Sequence, residues 1–270
     1  MICALLVFQR TSFDRSLDLI SPWLDMLTRE RDDVVADLEA QTHRRFIKTH
    51  TPFDGLPYDA RVTYIAVGRD PRDVALSWDN HMANMDFVAL IDARAAAVGL
   101  DDLAELFPDG PPEALASEIE RFWAWVDNPA PPSAANAGGL VSMVNHLATF
   151  WSVRDRPNVV LFHYDDLKTD LEGQMRRLAA QLDIAVPEDC WPELVDAATF
   201  ERMRAGADRI APDTTHEIWQ NNQQFFHRGE SGQWRELLDE EGIRRYYARV
   251  AELAEPDLVQ WVHREAQLVP

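Results

Sequence analysis

Three short stretches of the chain are apolar, β-branched and closed by turn residues: RRFIKTH (Arg44 to His50), RVTYIAVG (Arg61 to Gly68) and NVVLFHY (Asn158 to Tyr164). Each predicts a strand. Amphipathic periodicity between and after them predicts helices over Pro71 to about Phe87, Glu113 to about Val126, Leu140 to Val153 and Leu171 to Leu182. Strands of this kind separated by helices predict an α/β fold, a central parallel sheet buried on both faces and flanked by helices. The opening ICALLVF predicts a helix with no capping residue in front of it. The stretch DNPAPPSAANAGG, Asp127 to Gly139, predicts a loop or lid inside a domain, because patterned helices flank it on both sides. No internal repeat is present.

Composition narrows this picture. With 270 residues and 46% hydrophobic positions, one domain spanning residues 1–270 is expected. A formal net charge of -20 argues against sequence-independent nucleic-acid binding, so an anionic ligand requires a local cluster of positive groups working against the overall field. The two cysteines, Cys3 and Cys190, make neither a disulfide framework nor a zinc site, which fits a reducing compartment. The segment MICALLVFQR has no basic leader region, and its apolar run is too short for a signal peptide or a membrane span. A cytoplasmic, soluble protein that binds neither nucleic acid nor membrane is expected.

Three places carry candidate chemistry. In YIAVGRDPRDVALSW a strand runs straight into a helix, with Asp70 as N-cap, Pro71 at the first helical position and Asp73 in the first turn. Arg69 stands just before that start, where free backbone N–H groups already favour an anion, and Ser77 follows eight residues later. A phosphate fits this pair; the alternative is an arginine paired with Asp70 or Asp73 and a serine that merely faces solvent. In KTHTPF, Lys48 and His50 follow a strand, and ligands of open parallel sheets bind beyond the carboxyl ends of the strands. A histidine with its ordinary pKa near 6.5 is mostly neutral at pH 7 and able to accept a proton. In FFHRGESGQW, two glycines three residues apart let backbone N–H groups approach a ligand beside His227 and Arg228. Each stretch also has a plain reading, as a strand-end histidine bonded to backbone or a glycine turn before a helix.

In this order and spacing the motifs resemble those of the cytosolic-type sulfotransferases that use 3'-phosphoadenosine 5'-phosphosulfate (PAPS). KTHTPFDGLP resembles the catalytic histidine segment, VGRDPRDVALS the 3'-phosphate segment, and VVLFHYDDLKTD the strand and turn that place a tyrosine near the adenine. ATFERMR (Ala198 to Arg204) is similar to the segment whose aromatic residue stacks on adenine, and FFHRGESGQW to the C-terminal phosphate loop. The resemblance implies that Arg69, Ser77, Arg228 and the Gly229 backbone bind the 3'-phosphate, with His227 beside them. It places Tyr164, Phe200 and Phe225 around the adenine. It makes His50 the general base toward an acceptor hydroxyl or amine and Lys48 the cation that steadies the sulfonate in flight, with no metal required. A nucleotide kinase is disfavoured, because no Gly precedes a Lys-Ser or Lys-Thr pair.

Two departures from the family pattern stand out. Where the family has Arg-Lys-Gly, this chain has His227, Arg228 and Gly229, so one fixed charge becomes titratable. No segment resembles the family's opening strand and phosphosulfate loop, Y-P-K-S-G-T-T-W, and MICALLVFQ resembles the helix that follows that loop. The expected fold is therefore the P-loop NTPase-like sulfotransferase fold without its first strand and loop. The expected activity is sulfuryl transfer to a small-molecule acceptor, against the alternative of a weak or inactive nucleotide-binding relative that keeps the 3'-phosphate half-site. The resemblance places the acceptor pocket among the helices from Asp79 to about Trp125 and the loop Asp127 to Gly139. Phe87, Phe107, Phe122, Trp123 and Trp125 read as core, and His81 and His146 as structural histidines.

Overall fold

The computed structural model describes residues 1–101, 115–129, 138–212 and 216–264. Phe107, the predicted helix start at Glu113 and most of the predicted loop Asp127 to Gly139 lie outside the described residues. In chain order the α-helices are α1 (Ile2–Phe8), α2 (Leu17–Ile20), α3 (Arg31–Ala40), α4 (Pro71–Ala83), α5 (Phe87–Ala97), α6 (Glu118–Val126) and α7 (Leu140–Trp151). They continue with α8 (Tyr164–Thr169), α9 (Leu171–Gln181), α10 (Trp191–Ala197), α11 (Phe200–Ala205), α12 (Ala207–Ile210), α13 (Asn222–Phe225), α14 (Glu240–Ala251) and α15 (Pro256–His263). Among the described residues two strands, β1 (Tyr64–Gly68) and β2 (Val159–His163), pair in parallel with Tyr64 opposite Val159 and Gly68 opposite His163. The chain divides into two compact units, each built from three separate chain segments.

One unit comprises residues 50–80, 115–182 and 230–270, and it holds the sheet. The parallel pairing follows the expectation from RVTYIAVG and NVVLFHY. Burial on both faces does not hold for β1: Tyr64, Ala66 and Gly68 are buried, whereas the alternate side chain of Val67 is 54% exposed. The main core lies between helices, where Leu76 of α4, Phe122 and Val126 of α6, Val144 of α7 and Tyr246 of α14 pack with Trp234. Helix starts are specified locally. Ser117 and Glu120 form a reciprocal capping box on α6, and the Asp170 side chain accepts from the Gly173 amide to cap α9. Gly68 has a packing reason to be glycine: a Cβ there would fall 2.3 Å from the Trp261 ring of α15.

The second unit comprises residues 1–49, 81–114 and 183–229. Its cluster contains Met85, Ile218 and Trp219, and Met85 and Trp219 also share an antiparallel bridge. The predicted strand over Arg44 to His50 does not form. Only Lys48 makes a bridge there, parallel to Trp23, because the partner segment is a short irregular stretch with no strand pattern of its own. The helix expected to reach Phe87 ends at Ala83, since the Asp86 side chain accepts from the Val88 and Ala89 amides and starts α5. The predicted α7 and α9 hold within two residues at their ends, and α6 ends at Val126 as predicted but begins at Glu118 among the described residues. The uncapped opening helix is α1, whose N-terminal residue makes no side-chain capping bond.

Candidate active site

In the sheet-bearing unit, β1 delivers the chain to Arg69 and the start of α4. The Asp70 carboxylate caps that helix by accepting the Arg72 amide at 2.9 Å, and its two oxygens also take the Arg72 guanidinium, Nη2 at 2.6 Å. Arg72 is fully buried, with its guanidinium 3.5 Å from the Trp234 ring centroid. Asp73 is committed as well, accepting the Gly232 amide at 2.8 Å and the Gln233 amide at 3.1 Å. Burial raises the Asp73 pKa, opposed first by the Gly232 hydrogen bond.

The alternative pairing of Arg69 with Asp70 or Asp73 is therefore not what the structure contains. Arg69 instead donates through Nη2 to the Glu230 carbonyl at 2.8 Å and lies over the Tyr164 ring, 4.4 Å from its centroid. Its Nε is buried and has no hydrogen-bond partner among the described residues. A guanidinium with an unspent N–H at a helix start can bind an anion. Burial pushes the Tyr164 phenol up, with the Arg69 charge opposing it, so Tyr164 stays protonated. Ser77 lies exposed on α4, and its hydroxyl makes no hydrogen bond among the described residues.

His50 belongs to the same unit and is exposed. Its segment is tied to α7 twice: His146 Nδ1 donates to the His50 carbonyl at 3.1 Å, and the Phe53 amide donates to Thr149 Oγ1 at 2.9 Å. His146 is thus a backbone anchor, as a structural histidine is expected to be.

The second unit carries the remaining candidates. Lys48 sits with its ammonium 3.6 Å from the Trp23 ring centroid. Burial lowers its pKa to about 8, against the opposing charge of Asp25. Phe200 opens α11 and packs on Gly229, where an added Cβ would come within 2.8 Å of the ring. Gly229 also has φ of +68°, so glycine is required there on both counts. His227 and Arg228 are exposed beside it, and the His227 pKa is lowered by burial and then by Arg228 and Arg204. His227 is therefore neutral at pH 7. Phe225 faces Trp219 at 5.2 Å and the His81 ring at 5.8 Å, so it is engaged in the cluster of this unit.

Sequence reasoning missed four participants. Trp23 lies in no periodic pattern; Phe226, 6.2 Å from Phe200, is masked by its identical neighbour; Arg204 sits in a segment read only for its aromatic residue. The Glu230 carbonyl is backbone and leaves no residue-type signal at all.

A sulfotransferase domain model matches residues 2–256. The chain is 42% identical over 269 residues to a glycolipid sulfotransferase of Mycobacterium bovis, covering 97% of this chain and 82% of that one. Among solved structures, a retinol dehydratase in complex with androsterone and the inactive cofactor PAP aligns with a TM-score of 0.65 at 19% identity, over 95% of this chain and 78% of its own. A mouse sulfotransferase complexed with PAP aligns with a TM-score of 0.62 at 17% identity, over 87% of this chain and 75% of its own. The α/β architecture with its parallel sheet is the one these structures share.

Proposed function

The chain belongs to the sulfotransferase family, and we propose that it moves a sulfuryl group from PAPS to a hydroxyl of a glycolipid-type acceptor. The observation that carries the donor reading is Arg69, a half-buried guanidinium stacked on Tyr164 with one N–H left over. Arg69, Ser77, Arg228 and the Gly229 backbone hold the 3'-phosphate, with His227 adding charge only when protonated. Tyr164, Phe200 and Phe225 line the adenine. The structural relatives with bound PAP support this donor, and the mycobacterial relative's name supports the acceptor class.

In the transfer itself, PAPS supplies an activated sulfonate with PAP as leaving group. His50 takes the proton from the acceptor oxygen as that oxygen bonds to sulfur. The sulfur–oxygen bond to the 5'-phosphate breaks and PAP keeps the electron pair, while the Lys48 ammonium stabilises charge on the transferring group. Positioning and charge stabilisation do most of the work, as in phosphoryl transfer. The test is donor-dependent sulfation of a glycolipid by the purified chain. His50→Ala and Lys48→Met are each expected to lower turnover about 10²-fold or more, with PAP binding by calorimetry unchanged for His50→Ala. Wild-type turnover in His50→Ala would remove His50 as base.

A second reading has one observation in its favour. The sequence contains only two lysines, Lys48 and Lys168, so no lysine of a phosphosulfate loop lies within these residues. Binding of PAP with no measurable transfer from PAPS would select a nucleotide-binding role over catalysis.

A further inference from the structure

The segment that carries Lys48 has no strand to hold it, yet it is fastened at three points to residues 21–25. Ser21 Oγ donates to the Phe46 carbonyl at 2.9 Å, the Lys48 amide to the Pro22 carbonyl at 3.3 Å, and Thr49 Oγ1 to Asp25 Oδ2 at 3.0 Å. Between these ties Trp23 bridges Lys48 through the backbone and presents its ring face to the ammonium at 3.6 Å. We propose that Trp23 is a positioning residue for Lys48, its indole face keeping the ammonium charged and aimed while the Ser21–Phe46 and Thr49–Asp25 hydrogen bonds fix the segment on either side.

This rests on the reading of Lys48 as the cation that steadies the transferring sulfonate. An ammonium packed in apolar surroundings is pushed toward its neutral form, which can stabilise no anion. The ring quadrupole attracts the charged form alone, and the attraction grows where water is excluded. It also occupies one side of the ammonium without consuming a hydrogen-bond donor, so N–H groups remain for a sulfonate oxygen. Charged groups acting on Lys48 are Asp25, which favours the cation, and the Met1 amino group, with which it repels. Arginine makes up 24 of the 26 lysine and arginine residues, so a lysine here is a choice of a compact, titratable charge that an aromatic face can hold.

The two-lysine sequence makes the test direct. In the full chain with isotope-labelled lysine, nuclear magnetic resonance should show two side-chain signals, assigned with Lys168→Arg, and that of Lys48 should titrate near pH 8. Trp23→Leu should move that midpoint down by roughly one pH unit, and Trp23→Phe by less, the ring being smaller. The alkaline limb of the transfer rate should move with it, the rate being lost at lower pH in Trp23→Leu than in the wild type. A midpoint unmoved or raised in both variants overturns the proposal, and if Trp23→Leu does not fold, Trp23→Phe alone decides by the same criterion. Lys48→Met keeps the two questions apart: full turnover in that variant would remove the catalytic reading, while the lysine signal in the Trp23 variants would still report whether the ring holds the charge.

Discussion

Arg69 and Arg72 stand three residues apart at the same strand-to-helix junction and differ in what their charge is for. Arg72 is wholly enclosed, doubly bonded to Asp70 and laid against Trp234, and its pKa is raised above the ordinary arginine value. Burial alone would lower it, and the hydrogen bonds and charge of Asp70 outweigh that. Arg69 spends one N–H on a carbonyl, rests on Tyr164 and keeps an N–H in reserve. If this junction binds an anion as proposed, the lesson is that its own carboxylate is absorbed by a second arginine. Without Arg72, Asp70 would compete for Arg69.

The sharpest way to break this contrast is Arg72→Ala, which leaves a buried carboxylate without its partner. It should destabilise the protein by about 3–5 kcal/mol in chemical denaturation. Arg69→Ala should leave the denaturation midpoint nearly unchanged and weaken PAP binding about 10- to 100-fold by calorimetry, the size of a charge-assisted hydrogen bond. Equal loss of stability in the two variants would erase the distinction. Ser77→Ala should weaken PAP about fivefold, corresponding to about 1 kcal/mol for a neutral hydroxyl bond, with no change in stability.

The smallest effect belongs to His227. Because its pKa is lowered below the ordinary 6.5, it carries no charge at pH 7 and gains one only as the pH falls below that lowered value. His227→Arg should tighten PAP by about threefold at pH 8, where the wild type has no charge, and the advantage should shrink toward pH 5 as the wild-type imidazole protonates. A constant ratio across that range would mean that residue 227 does not face the phosphate.

The sheet-bearing half of the candidate site was the more legible. Its signals are local: a β-branched run, an N-cap aspartate, a proline at the first helical position. Sequence could not say which of Asp70, Asp73, Arg69 and Arg72 pair, because that depends on Trp234, Gly232 and Glu230, which fold in from far along the chain. The Lys48 segment reads as a strand in sequence and forms none, for the converse reason. Its apolar composition is strand-like, but strand identity requires a partner ladder, and residues 21–25 supply one bridge and an aromatic ring. Phe225 shows the same limit. The motif marks an aromatic pair without saying which ring is drawn toward Trp219.

The hydrogen bonds from the Gly232 and Gln233 amides to Asp73 span 159 and 160 residues of a 270-residue chain. During synthesis, the first turn of α4 can form as soon as it emerges, yet its buried carboxylate has nothing to accept from until most of the polypeptide has been made. On the reading that Arg69 binds an anion, the junction doubles as a completion check: a product cut short before Glu230 would keep Arg69 but lack the loop whose carbonyl and amides hold the junction in place. Such fragments are expected to be incompetent for nucleotide binding, even though the residue types that sequence motifs rely on are almost all already present.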